Sequence, residues 1–222
     1  MAKGLLLDIG GVVLQNAAYL VNRLAQREPR LQPFVTRVSG SSGIAGSGDE
    51  LWQRMLRHEV TERAYWAQRA RELGAELGHA WDTRAMITAL YDMPRDDWLV
   101  SETIALMRDS KTAGLPLAAL TNDLAAFHGP DWVSRQDWLD LFDTVVDGSV
   151  TGVMKPSPEA FLAGADALGL APEEVVYLDD MPWNITGALA VGLQAIHVRY
   201  ADPDEALDEA RRRLRLPAAL PR

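Results

Sequence analysis

The run Leu5-Leu6-Leu7-Asp8-Ile9-Gly10-Gly11-Val12-Val13 constrains this chain more than any other segment, because an unbroken apolar stretch that stops on a carboxylate has few places to go. Consecutive leucines without alternation fit a strand covered on both faces, and such strands belong to parallel sheets. The glycines after Asp8 predict a tight turn. Five short runs read as strands: Leu5–Asp8, Leu117–Thr121, Thr144–Asp147, Val175–Asp179 and Ala195–Val198. Between the later ones lie punctuated helical segments, in which Ser157 stands as a cap before Pro158 at the first helical position and Gly169 closes a turn. Alternating strands and helices predict an α/β fold, a doubly wound, Rossmann-like parallel sheet. Ligands of such sheets bind beyond the carboxyl ends of the strands, where Asp8, Thr121 and Asp179-Asp180 stand.

The stretch between the first two strands is far longer than a crossover requires. Residues 15–94 are rich in helix formers and lack a convincing strand, so they are expected to form a helical cap, with residues 1–14 and 95–222 as the core domain. Helices are expected at Leu51–Arg57, Arg63–Leu73 and Thr83–Leu90, with Trp52, Met55 and Leu56 packing inside the cap. The cap is a candidate lid over the mouth of the sheet. The glycine and serine run from Ser39 to Gly48 is expected to be a mobile loop, since no strand precedes it to make a dinucleotide fingerprint or a serine elbow. Near the carboxyl end, Asp208 with Arg212 and Glu209 with Arg213 have the spacing of helix-stabilising pairs on a solvated face.

Composition narrows the function. An apolar fraction of 48% and a net charge of -9 describe a soluble globular chain that disfavours nucleic acid and anionic membranes as partners. Without cysteine there is no disulfide scaffold, thiolate zinc site or cysteine nucleophile, and the cytoplasm is the expected compartment. A monomer or homodimer acting on a small molecule is expected.

Four segments carry chemistry, each with a plain structural alternative. Asp8 before a glycine turn is one, and taken alone it reads as a turn. Thr121-Asn122 at a strand end is the second, alone a helix cap. Lys155-Pro156, holding one of few lysines, is the third, alone a surface residue. Asp179-Asp180 followed by Asn184 is the fourth, and two adjacent carboxylates closing a buried strand demand a cation or strong donors.

In this order and spacing the four resemble the motifs of the haloacid dehalogenase superfamily, in particular the branch whose helical cap is inserted between motifs one and two. The resemblance implies a magnesium-dependent hydrolase, most often a phosphatase of a small phosphorylated metabolite. It implies that Asp8 attacks phosphorus to give an aspartyl phosphate. It further implies that Asp8, the Gly10 carbonyl and Asp180 hold Mg2+, with Asp179 supporting and Asn184 orienting the acidic pair. By the same resemblance Thr121 and the Asn122 amide bind phosphoryl oxygens, and Lys155 balances the charge of Asp8 and the phosphate.

One departure stands out. Phosphatases of the superfamily carry a general acid two residues after the nucleophile, and here that position is Gly10. His128, Asp123 or a cap residue could replace it, although His128 reads as a surface loop histidine. Two other functions fit part of the pattern: a noncatalytic protein that binds phosphate and metal, and a carbon-halogen hydrolase using the same aspartate without metal.

Overall fold

The computed structural model describes residues 1–39, 48–199 and 203–219, with only the backbone of residues 38 and 39. Most of the glycine and serine run, Gly40 to Ser47, lies outside the described residues. The chain divides into two compact units, one formed by Met1–Gln15 with Leu99–Arg222 and the other by Asn16–Trp98.

The first unit is built on five parallel strands: β1 (Gly4–Leu7), β2 (Leu117–Thr121), β3 (Thr144–Asp147), β4 (Val175–Asp179) and β5 (Gln194–His197). They lie in the order β3-β2-β1-β4-β5. Every residue of β1, β2 and β4 is buried, which is why their sequences run apolar without alternation. One face packs Leu6, Ala118, Leu120, Val175 and Tyr177 against Phe161, Ala165 and Ala188 of the helices Pro158–Ala167 and Pro182–Ala190. The helices Ser101–Thr112 and Pro203–Leu214 complete the doubly wound arrangement. The first strand ends one residue earlier than its sequence suggests, and the last is displaced by one, Gln194–His197 rather than Ala195–Val198.

From β1 the chain crosses to β2 on one side and reaches β4 on the other, so the topological switch point lies between β1 and β4. Their register pairs Leu7 with Leu178, and the Asp8 amide donates to the Leu178 carbonyl at 2.9 Å. The segment after Asp8 is tied back as well: the Thr103 hydroxyl donates to the Val12 carbonyl at 2.7 Å, and the Val100 amide to that of Val13 at 2.9 Å.

Two local expectations are corrected. Arg212 and Arg213 both bond Glu209, at 2.9 and 2.7 Å, and Asp208 makes no pair with Arg212, because Glu209 is within one turn of both arginines and reaches further. Ser157 stands at the N-cap of the helix Pro158–Ala167, but its hydroxyl caps nothing and is buried without a partner.

Among its described residues the second unit has only helices as regular elements, joined by short turns. Its helices at Glu50–Leu56, Glu62–Leu77 and Thr83–Leu90 are capped by Asp49, Thr61 and Asp82, each accepting from a backbone amide in the first turn. Two more helices, Ala17–Arg27 and Gln32–Ser39, precede them. Ala17–Arg27 carries a regular buried stripe of Leu20, Val21, Leu24 and Ala25 behind an Asn16 cap, whereas Pro33 interrupts the pattern of the shorter helix. The unit's core includes Leu24, Phe34, Met55, Tyr65, Leu73 and Met86. Trp52 is half-buried with its ring edge-on to Tyr65, while Arg63 is exposed. Arg69 and the fully buried Asp49 form an ion pair, and the Tyr65 hydroxyl donates to the other Asp49 oxygen at 2.7 Å.

Candidate active site

At the carboxyl ends of β1, β2 and β4 the polar side chains converge. Asp8, directly after β1, is 8% exposed. Its Oδ1 accepts from the Ile9 amide at 2.7 Å and lies 2.9 Å from the Lys155 ammonium, while its Oδ2 has no donor among the described residues. One carboxylate oxygen is therefore pinned and the other is left available for chemistry.

The next two glycines play unlike parts. Gly11 has φ +72, and a side chain there would fall 2.1 Å from Asp180 Oδ2, so only glycine lets that carboxylate approach the loop. Gly10 is exposed, and a Cβ built on it meets nothing within 4 Å.

Thr121 closes β2, 6% exposed and with no hydrogen-bond partner for its hydroxyl among the described residues. Asn122 turns out to join two motifs: its Oδ1 accepts from the Lys155 amide at 2.8 Å and its Nδ2 donates to the Lys155 carbonyl at 3.0 Å. Asp147, at the end of β3, braces the same region by accepting from the Ala125 amide at 2.7 Å and from the Ser149 amide and hydroxyl at 2.9 and 2.7 Å.

Asp179 is fully buried, and all its acceptor capacity is spoken for. Oδ1 takes the Met181 amide at 2.8 Å, Oδ2 takes Lys155 Nζ at 2.7 Å and the Tyr177 hydroxyl, and Asn184 Nδ2 stands 3.0 Å from both. Asp180 is half-buried, and its backbone carbonyl accepts from His197 Nε2 at 2.9 Å, which places the imidazole proton on that nitrogen.

The electrostatics follow from this packing. Burial, opposed by the Lys155 ammonium and aided by the charge of Asp179, lifts the Asp8 carboxyl to about 7. Burial also works against the Lys155 ammonium, but Asp179 and Asp8 overcome it and hold its pKa above the ordinary value. Asp8, Asp179 and Asp180 each offer a carboxylate oxygen within 4.8 Å of the others, and Lys155 pairs with Asp8 and Asp179. Clustered hard oxygen groups of this kind suit a divalent cation. Four donors saturate Asp179, which leaves the Asp8 and Asp180 carboxylates as the members of the cluster better able to take a cation.

Every site residue named from the sequence is thus on this unit, at or next to these strand ends. The sequence did not mark Gly11, Asp147, Tyr177 or His197. For Gly11 the doubled glycine was a signal; for Tyr177 its place two residues before Asp179, on the same strand face, was the only one. The surface reading of His128 is corrected: it ends the helix Leu124–His128 half-buried, its ring stacked 3.9 Å from that of Trp132, and burial lowers its pKa to about 3.

Asp8 thus stands at the switch point of a doubly wound sheet, with Lys155 across from it and Asp179-Asp180 at the end of the neighbouring strand. The family model for haloacid dehalogenase-like hydrolases matches residues 2–192, and the chain belongs to that family. Among curated relatives, it is 25% identical over 180 residues to acyl-CoA dehydrogenase family member 10 of Mus musculus, covering 80% of this chain and 16% of that protein. It is 28% identical over 110 residues to phosphoglycolate phosphatase of Escherichia coli strain K12, covering 49% of this chain and 42% of the relative. The chain thus spans less than half the length of these relatives. Among solved structures, a HAD phosphatase from Thermococcus onnurineus superposes with a TM-score of 0.58 at 21% identity, covering 98% of this chain and all of that one. L-2-haloacid dehalogenase from Xanthobacter autotrophicus with chloropropionic acid covalently bound superposes at 0.55 and 18% identity, covering 99% and 85%. Both likenesses concern the fold.

Proposed function

We propose that this protein is a magnesium-dependent phosphatase of a small phosphorylated metabolite, with Asp8 as nucleophile. The observation that carries the reading is the asymmetry of Asp8: Oδ1 is fixed by the Ile9 amide and Lys155, while Oδ2 takes no donor among the described residues. Attack by Asp8 on phosphorus forms an aspartyl phosphate and expels the leaving group, and water then releases inorganic phosphate. Lys155 neutralises the charge that accumulates between Asp8 and the phosphoryl oxygens, and the Thr121 hydroxyl and Asn122 amide donate to those oxygens. Asp8, the Gly10 carbonyl and Asp180 would hold Mg2+, which supplies charge neutralisation and alignment of the phosphoryl group. Asp179 and Asn184 support this set from behind.

Gly10 offers no proton to the leaving group, so substrates with good leaving groups, such as acyl or aryl phosphates, are favoured over plain alkyl phosphates. The same feature favours a second reading, phosphate and metal binding without turnover. The test is product release from para-nitrophenyl phosphate and acetyl phosphate with and without magnesium, with Asp8→Asn as control. Magnesium-dependent turnover that disappears in the variant is expected. Absence of turnover, with phosphate and magnesium still raising the melting temperature, would replace the first reading by the second.

A further inference from the structure

The hydroxyl of Tyr177 is an unusual thing to find in the middle of a sheet. The side chain is fully buried, its ring packs edge-on against Phe161 at 5.7 Å, and its neighbours in the core are Leu6, Ala118, Leu120 and Ala188. A phenylalanine would fill the same space without a polar atom to satisfy. The hydroxyl instead donates to Asp179 Oδ2, the same oxygen that Lys155 Nζ reaches at 2.7 Å. Lys155 is itself divided, with its ammonium 2.9 Å from Asp8 Oδ1 and 5.8 Å from the centre of the Tyr177 ring.

Position along this line is a matter of charge balance. A buried carboxylate attracts an ammonium more strongly the fewer other donors share its charge. Donation from Tyr177 spreads the negative charge of Asp179 and so leaves Lys155 poised between Asp179 and Asp8 instead of drawn wholly to Asp179.

We propose that Tyr177 is a positioning residue that holds Lys155 toward Asp8 by occupying Asp179 Oδ2. The effect on turnover rests on the phosphatase reading above; the effect on Lys155 itself does not.

Tyr177→Phe keeps the ring and removes the donor. With para-nitrophenyl phosphate and saturating magnesium, kcat should fall roughly three- to tenfold, the size of one ordinary hydrogen bond because the effect reaches the reacting atoms only through Lys155, while KM stays within about twofold. In the metal-free protein, the side-chain resonances of Lys155 should move on substitution, while backbone amide resonances remote from β4 stay in place. A variant with lower melting temperature but unchanged kcat, KM and Lys155 resonances would overturn the proposal and leave the hydroxyl a purely structural group. Should Tyr177→Phe fail to fold, 4-fluorophenylalanine at position 177 restores the bulk without the donor, and failure of both to fold would overturn it equally. If the parent protein turns over no phosphate ester, displaced Lys155 resonances would still uphold the positioning role, and only the phosphatase reading would fall.

Discussion

Lys155→Met tests the electrostatic core of the site in isolation from catalysis. The ammonium lies 2.7 Å from Asp179 Oδ2 and 2.9 Å from Asp8 Oδ1, with its side chain 2% exposed. Methionine fills much of the volume but leaves two carboxylates without their cation. Removing one partner of a buried pair costs about 3–5 kcal/mol. Asp8 already titrates near 7, so at neutral pH it can escape part of that penalty by taking up a proton, and the lower end of the range applies there. For a chain of this size, with about 2–4 °C per kcal/mol, the melting temperature should drop by at least about 6 °C. The sign of the pH dependence is fixed. A carboxyl whose folded pKa lies above its unfolded value of 3.8 binds more protons in the folded state, so stability falls as pH rises toward the folded pKa. Lys155 holds that pKa down, so without it the variant goes on losing stability above pH 7, where the parent has levelled off, and the gap between them should widen from pH 7 to pH 8. Thermal melts in EDTA, so that no divalent cation replaces the ammonium, measure both quantities. Lys155→Met with Asp179→Asn, which removes one of the stranded charges, should recover a substantial part of the loss. A drop under about 2 °C at pH 8, or a gap independent of pH, would refute the reasoning.

Three further outcomes are expected. Gly10→Asp enters open space, so it should fold normally and raise turnover of alkyl phosphates by at least roughly tenfold, a fraction of the roughly hundredfold or more that a well-positioned acid contributes; an unchanged rate would show that the missing proton is not limiting. Gly187→Ala places a Cβ 2.7 Å from Phe161 and 3.0 Å from the Pro156 carbonyl, and should cost about 1–3 kcal/mol in a denaturant titration, whereas a neutral effect would mean that Phe161 yields freely. His128, with its pKa lowered to about 3 from 6.5, binds fewer protons folded than unfolded, so its stabilising contribution is intact above pH 6.5 and lost as pH falls toward 3. His128→Phe should flatten the acid limb of the stability curve, and parallel curves for variant and parent would contradict the assignment.

The sheet was legible because burial on both faces writes itself into sequence as uninterrupted leucine, alanine and valine, and Leu117–Thr121 and Val175–Asp179 were readable to the residue. The edge strand β5 was not, since its half-exposed residues Gln194 and Ala195 break the apolar run that marks a boundary. Within the site, acidic and basic residues at strand ends announced themselves by their cost of burial. What escaped were roles that only side-chain contacts reveal: Asn122, read from the sequence as a phosphoryl-oxygen ligand, also clamps a backbone segment 33 residues away, and Tyr177, two residues before Asp179, looked like one more core aromatic. Ala17–Arg27 was legible in principle, from its Asn16 cap and the spacing of Leu20, Val21, Leu24 and Ala25, whereas Gln32–Ser39 was obscured by Pro33.

The bond from the Asp8 amide to the Leu178 carbonyl makes Asp8 the continuation of the β1 and β4 pairing rather than part of a free loop. Hydrogen-bonded into the central pairing, its amide is expected to exchange with solvent only when the sheet comes apart. The reactive carboxylate therefore has little independent freedom: heat or denaturant cannot silence it ahead of unfolding by loosening its surroundings, and any control over activity has to reach it by governing what enters the site.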